Sequence, residues 1–250
     1  IKLMQILIKY LNEIFRSFFE GNFNITFKNC VKCESKRLFL VSGIEGRSVR
    51  CINCRSTLIS LSSLEVIKEI RLDKESASVY ELSYHGAVFN YLKKNFKNFY
   101  FSEFFPSKTP GSLVDGVRNE DIQSLTFPSL KFDLVTSTEV FEHVENYRQG
   151  FSEVKRVLKS GGYFVFTVPL YEESTTKQVC KINNYGELDW FDEPEFHDSR
   201  VSGMNSVPVF WRHSKSQILN DLKDAGFLDA KLYKIDFNSQ ISQFVVLAQC

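Results

Sequence analysis

The sequence lacks any excess of charge: 31 Lys and Arg stand against 30 Asp and Glu, a net +1. No global field therefore recruits nucleic acid or an anionic membrane, and any electrostatic preference has to be local. It also lacks an uninterrupted apolar run. The opening IKLMQILIKYLNEIFRSFF places Leu3, Leu7, Leu11, Ile14 and Phe18 on one helical face, but Lys9, Glu13 and Arg16 interrupt it. That segment is too charged to span a bilayer. Nor does it contain a compact apolar core followed by a small-residue cleavage site. It reads as a helix within residues 1–27 that docks on the protein's own body or on a second copy, giving a homodimer, and not as an export signal or membrane anchor. A cytoplasmic location is the expectation. Apolar residues, by contrast, are abundant: 43% of the chain, with 24 Phe, which excludes a disordered protein. With 250 residues the chain buries a sizeable core, as one large α/β domain or as a domain with an appendage.

Cysteine is confined. Four of the six occur as Cys30-Val-Lys-Cys33 and Cys51-Ile-Asn-Cys54, two CxxC knuckles flanking the Gly-bounded turn of RLFLVSGIEGRSVR. Two knuckles on a hairpin bring four sulfurs together, and four thiolates in a tetrahedron suit a structural Zn²⁺ with no open position for substrate. Disulfides are the alternative. The missing export signal and the two further cysteines, Cys180 and Cys250, favour a zinc ribbon over 28–58 with those two in the core. Between Lys28 and Arg55, seven cations against Glu34 and Glu45 give a local +5. Such a face suits RNA, an acidic protein or simply water.

After the ribbon, Ser62-Ser-Leu-Glu65 matches a capping box and starts a connecting helix, within 59–75, that runs to about Arg71. Strand-like runs then recur at ASVYEL, NFYFSEFF, SLVDGV, FDLVTST and YFVFTVP, separated by segments such as GAVFNYLKKN and YRQGFSEVKRVLKSGG. This alternation predicts a doubly wound, mostly parallel sheet with ligands at the carboxyl ends of its strands. SKSQILNDLKDAGF is a helix stopped by Gly226. AKLYKIDF and QFVVLAQC follow, joined by a link too short for a crossover, so they pair antiparallel.

Glycine is scarce where it would matter most. SASVYELSYHGAVFNYL reads as a strand ending on Glu81, a turn and a helix, and the turn holds one glycine, Gly86, where a phosphate-cradling loop holds three. A second acid, Glu103, lies 22 positions after Glu81, close to the spacing of about 20 at which an acid reaches ribose hydroxyls.

FDLVTSTEVFEHV, followed by FSEVKRVLKSGGYFVFTVP and the terminal hairpin, resembles the second half of a class I S-adenosylmethionine-dependent methyltransferase, and the likeness extends over residues 76–250. The resemblance implies a seven-stranded, mostly parallel α/β sheet with an antiparallel C-terminal hairpin, and S-adenosylmethionine as cofactor. Because that cofactor carries no phosphates, its loop needs close backbone approach at only a few points. By the same resemblance Glu81 is the acid ending the first strand, and Ser83 and Gly86 stand in the loop around the cofactor's amino-acid part. Glu103 matches the ribose-binding acid, Asp121 and Ile122 the adenine contacts, and Thr138 and Glu139 end the fourth strand beneath the sulfonium. Each acid alone reads as a solvated loop carboxylate; four in the family's order do not. His143 also recurs in the family, as a catalytic group or as an orienting cap for the next helix.

Residues 171–198 form an insertion after the fifth strand. Eight acids against Lys177 and Lys181 give it a local −6, and Trp190, Phe191, Phe196 and His197 are interleaved. It is either an aromatic, acidic cover for the acceptor or a loop that keeps the protein soluble. As a cover it would repel a phosphate backbone. The expected activity is methyl transfer (EC 2.1.1 class) to a small neutral or cationic acceptor, such as a sugar-bearing metabolite, with His197 and His143 as candidate bases. An RNA methyltransferase gripping its substrate with the basic ribbon is one alternative. A catalytically silent binding protein of the same fold is the other.

Overall fold

The computed structural model describes residues 23–199 and 201–250, together with Asn12. The docking helix expected within 1–27 lies outside the described residues, apart from its end, where 24–27 belong to a strand.

Strands Asn24–Cys30, Ser35–Val41 and Val49–Cys51 make a three-stranded antiparallel sheet. The two knuckles close it with the same local geometry. Glu34 and Arg55, each just past a CxxC, take left-handed φ values of 53° and 58°. Their N–H groups donate back to the Cys30 and Cys51 carbonyls, both at 2.8 Å. The helix that follows spans Leu58–Glu69 and begins a turn earlier than the capping box at Ser62 predicts. The Thr57 side chain, three residues past Cys54, accepts from the Ser60 N–H at 3.4 Å and so caps the helix first. Ser62 and Ser63 are buried within it, and the Ser63 hydroxyl donates to the Ile59 carbonyl at 3.2 Å.

The main sheet has six strands in the spatial order Asp229–Asp236, Ser242–Gln249, Leu158–Thr167, Phe132–Thr138, Ser78–Glu81 and Asn98–Phe101. The last four are parallel; the first two form the expected antiparallel hairpin. The seventh strand of the family pattern is reduced to one parallel bridge between Glu103 and Asn119. SLVDGV, read from sequence as that strand, instead folds back on itself. Leu113–Val114 pairs with Val117–Arg118 across Asp115 and Gly116, whose φ values of 50° and 79° suit a two-residue Asp-Gly turn.

Successive side chains alternate between two cores. Tyr80, Val135, Phe164, Phe166 and Val246 face the helices Tyr147–Val157 and Gln217–Asp224, which contribute Phe151, Val154, Ile218 and Leu222. Val79, Leu134, Val165 and Val245 face Leu64 and Ile67 of the helix Leu58–Glu69 and Val88 and Leu92 of the helix Gly86–Asn95. Period-two alternation of apolar residues on both faces is what a sheet covered by helices on both sides requires. The register sets Glu81 against Thr136 and Thr138 against Thr167, so the parallel strands finish along one edge.

The ribbon docks at that edge. Val246 pairs with Phe166, so the hairpin turn before Ser242 lies beyond the carboxyl end of the Leu158–Thr167 strand. Phe237 and Ile241 in that turn share a core with Phe39, Val41, Leu58 and Leu61. Phe237 is 6% exposed, with its ring centroid 5.4 Å from that of Phe39. Phe237→Ala is expected to cost about 3 kcal/mol in chemical unfolding and to speed proteolysis within the ribbon. Unchanged stability and cleavage would show that this contact does not hold the ribbon in place.

Candidate active site

The four cysteines of the two knuckles form one cluster. Its four sulfurs are within 4.8 Å of one another, and Cys30 Sγ and Cys54 Sγ stand 3.7 Å apart as free thiols. Four thiolates bonded to one ion at about 2.3 Å would stand ~3.8 Å apart, so this donor set fits a tetrahedral metal. Burial pushes the Cys30 thiol up. Against its own burial, hydrogen bonding led by Ser56 brings Cys54 down to about 7. The Asn53 amide donates to Cys33 Sγ at 3.3 Å. Cys180 and Cys250 are buried in the body.

Glu81 ends its strand 1% exposed, and its carboxylate accepts from the Thr136 hydroxyl of the neighbouring strand. Burial pushes it up to about 8, with the Glu103 carboxylate adding to the shift. Beyond it, Ser83 Oγ lies 2.6 Å from His85 Nδ1. Gly86 opens the next helix at φ 100°, and no heavy atom lies within 4 Å of where a Cβ would stand. Its glycine is thus required by backbone conformation, and it leaves open space beside the loop. Glu103 is half-buried, accepts from the Phe104 N–H at 3.0 Å and is raised by burial.

The proposed adenine contacts are placed less openly. Asp121 Oδ1 accepts from the Gln123 N–H at 2.9 Å and from its amide at 3.1 Å, which ties that carboxylate into its own turn. The Ile122 side chain joins the core. Its neighbour Glu120 is the buried acid of this segment, held by Arg118 Nε at 2.5 Å and the Thr126 N–H at 2.9 Å. Sequence reasoning passed over Glu120; its role is to fasten the loop.

Thr138 ends its strand, and Glu139 follows with φ 52°, donating its N–H to the Thr167 carbonyl at 3.0 Å. Glu139 Oε1 is buried without a hydrogen-bond partner. Burial pushes this carboxyl up to about 7, while Arg47 pulls it down and Glu45 opposes Arg47. The ribbon's Gly46–Ser48 turn therefore acts electrically on this end of the sheet.

Next to Glu139 stands a group no single motif predicted. Glu142 is 1% exposed, and neither carboxylate oxygen has a hydrogen-bond partner. His143 Nδ1 lies 2.7 Å from the Pro208 carbonyl; since a carbonyl only accepts, Nδ1 carries the proton and donates it there. Burial pushes His143 down to about 4. The strands Phe196–Ser199 and Gly203–Pro208 pair antiparallel and bring His197 Nδ1 to 3.0 Å from His143 Nε2. The two histidines, 54 residues apart and read separately in the sequence, thus meet. Glu142 carries no expectation from the sequence although it stands beside His143 in VFEHV, and Glu195 counts there only among the eight acids of the cover. The acids of 171–198 are also less free than their count implies. Arg212, beyond that stretch, bonds Asp192 at 2.7 Å and Glu195 at 2.9 Å, and Lys177 bonds Asp192 at 2.6 Å.

A parallel sheet wound on both faces, closed by an antiparallel hairpin and carrying acids at the carboxyl ends of its strands, is the class I methyltransferase architecture. Residues 72–166 match the family described as "Methyltransferase domain". It is 35% identical over 71 residues to the sarcosine/dimethylglycine N-methyltransferase of Aphanothece halophytica, a stretch that is 28% of this chain and 26% of that protein. The match thus spans about a quarter of that relative's length. Among solved structures, an S-adenosylmethionine-dependent methyltransferase from Mesorhizobium loti superposes with a TM-score of 0.47 at 17% identity, covering 76% of this chain and 98% of that one. A toxoflavin-precursor N-methyltransferase from Burkholderia thailandensis, solved with S-adenosylhomocysteine, gives 0.46 at 12% identity, covering 76% of each chain. Among the described residues, no helix is long and apolar enough to cross a membrane.

The buried Glu81 has a measurable consequence. Its folded value stands near 8 against an ordinary 4.5, so between those values the folded chain keeps a proton that the unfolded chain releases. Stability should therefore fall as pH rises through that window, by up to about 1.4 kcal/mol per pH unit from this group. Glu81→Gln is expected to flatten that slope in urea titrations run at a series of pH values. An unchanged slope would mean that Glu81 ionises freely in the folded state.

Proposed function

We propose that this chain transfers the methyl group of S-adenosylmethionine to a small acceptor bound beneath the 171–198 segment, and that its four clustered cysteines hold one structural Zn²⁺. The observation that carries the first part is the common edge. Glu81, Glu103 and Glu139 stand at or just past the carboxyl ends of adjacent parallel strands, and the backbone at Gly86, just past Glu81, borders open space, which supports this reading.

When bound, S-adenosylmethionine supplies a sulfonium methyl group open to in-line attack. The chain's own part is to bind, orient and exclude water. Glu103, half-buried and at the end of the second strand, would accept the ribose hydroxyls. Ser83 and the Gly86 backbone would approach the amino-acid part, and the Asp121–Ile122 backbone the adenine. Thr138 and Glu139 would lie under the sulfonium, where a buried carboxylate oxygen without a hydrogen-bond partner favours a cation. His143 and His197 would stand on the acceptor side. The acids of the 171–198 segment suit a neutral or cationic acceptor and disfavour the phosphate backbone of RNA. The Aphanothece halophytica relative is named for small acceptors, sarcosine and dimethylglycine.

Glu103→Ala is expected to weaken S-adenosylmethionine binding by about 1.5 to 3 kcal/mol in calorimetry, with unfolding unchanged. Equal affinity in a stable variant would remove Glu103 from the ribose site, and a parent chain that binds no cofactor would favour the silent-protein reading.

For the cysteines, elemental analysis of protein purified without chelator should find one zinc per chain. Cys33→Ser, leaving three thiolates, should lose it and lower the melting temperature. Zinc-free, fully stable protein would overturn the metal reading.

A further inference from the structure

Outside the cysteine cluster, a second group of donors converges at the acceptor side. Glu142, His143 and His197 place one carboxylate oxygen and two imidazole nitrogens within 4.8 Å of one another. The separations are 3.0 Å between His143 Nε2 and His197 Nδ1, 3.6 Å between His143 Nε2 and Glu142 Oε1, and 3.9 Å between His197 Nδ1 and Glu142 Oε1. Ligand bonds of about 2.1 Å allow donor atoms to stand up to ~4.2 Å apart, and a 3.0 Å pair then subtends roughly 90° at the ion. All three spans fit one centre.

The surroundings prepare these atoms for a cation. His143 is held in one tautomer by its Nδ1–H donation to Pro208, which turns the Nε2 lone pair inward. His197 Nε2 faces Glu195 Oε1 at 3.5 Å, and the other oxygen of Glu195 is anchored by Arg212 at 2.9 Å. Carboxylate and carbonyl partners on the far nitrogens are the usual supports of metal-bound histidines. A hydrogen bond between the two rings would satisfy their nitrogens without an ion, but it leaves both oxygens of Glu142 buried and unpartnered. An orphaned buried carboxylate costs free energy that a bound cation offsets. Glu139 adds a third unpartnered buried oxygen beside them.

We propose that Glu142, His143 and His197 bind a divalent first-row cation of the Mn²⁺, Fe²⁺ or Zn²⁺ class, at a site separate from the cysteine cluster. Two imidazoles and a carboxylate without thiolate suit these ions and leave coordination positions open. Resting on the methyl-transfer reading, the open positions would take an oxygen of the acceptor, so the acceptor would be a hydroxyl-bearing compound. The two histidines would then position that oxygen and would not serve as the bases expected from the sequence, because a ligating nitrogen has no lone pair left for a proton.

The test uses the full chain carrying a single equivalent of zinc, which the four thiolates take first and which leaves the second site free of zinc, titrated with Mn²⁺ up to about 1 mM and followed by the loss of the six-line paramagnetic resonance signal of free Mn²⁺. Hard Mn²⁺ does not compete for four thiolates. One Mn²⁺ per chain is expected, with affinity lowered at least about tenfold by Glu142→Gln and by His197→Ala. Zinc content and far-UV circular dichroism should be unchanged. Glu142→Gln keeps the side-chain volume and decides the matter if His197→Ala fails to fold. No Mn²⁺ uptake by the parent, or equal uptake by a folded Glu142→Gln variant, overturns the site. Mn²⁺ uptake by a chain that binds no S-adenosylmethionine would keep the ion site and reject the methyl-transfer reading.

Discussion

The parallel pairing of Ser78–Glu81 with Phe132–Thr138 is the constraint on which the rest of the structure depends. It sets Glu81 opposite Thr136, and the next pairing sets Thr138 opposite Thr167. Along the central strands the apolar side chains are consumed by one of two cores, and the ligand-facing chemistry lies where the strands stop. The acids at that edge are largely withdrawn from water: Glu81 and Glu142 are 1% exposed, and Glu139 has a buried oxygen without a partner. Burial raises all three, and carboxylates held in this condition gain most from a cation placed among them. A sulfonium and a divalent ion are both cations. The same electrostatics serves the proposed cofactor at Glu139 and the proposed metal at Glu142, three residues further on.

Two appendages finish the edge from different sides. The ribbon reaches it because the C-terminal hairpin carries Phe237 and Ile241 past the strand ends and gives the ribbon's inner face something apolar to bury against. Arg47 of its Gly46–Ser48 turn and the preceding Glu45 then act on Glu139 in opposite senses. The knuckles hold the ribbon's shape, while Phe39 and Phe237 hold its position. From the other side, the hairpin of Phe196–Ser199 and Gly203–Pro208 supplies His197 and the Pro208 carbonyl together, one on each of its strands. The loop's acids do not simply solvate it. Asp192 and Glu195 are drawn together by Arg212, which fixes the approach of Glu195 to His197.

What the sequence by itself determined was the set of local patterns whose partners lie close along the chain. The CxxC knuckles needed only their own spacing. The alternation of strands and helices, the antiparallel hairpin after Gly226 and the acid at the end of SVYE follow from periodicity and short connections. Local signals also misled where two principles competed. Asp115-Gly116 read as the middle of a strand but makes a tight turn, and Thr57 capped a helix before Ser62 did. Tertiary structure alone decided the meeting of His143 with His197 across 54 residues, because their contact depends on a hairpin register and on the Pro208 carbonyl. It also decided which acids are isolated from water, Glu142 among them, and which, like Asp121 and Glu120, are spent on their own loops. Burial and partnership depend on everything packed around a side chain, and no window of sequence contains that.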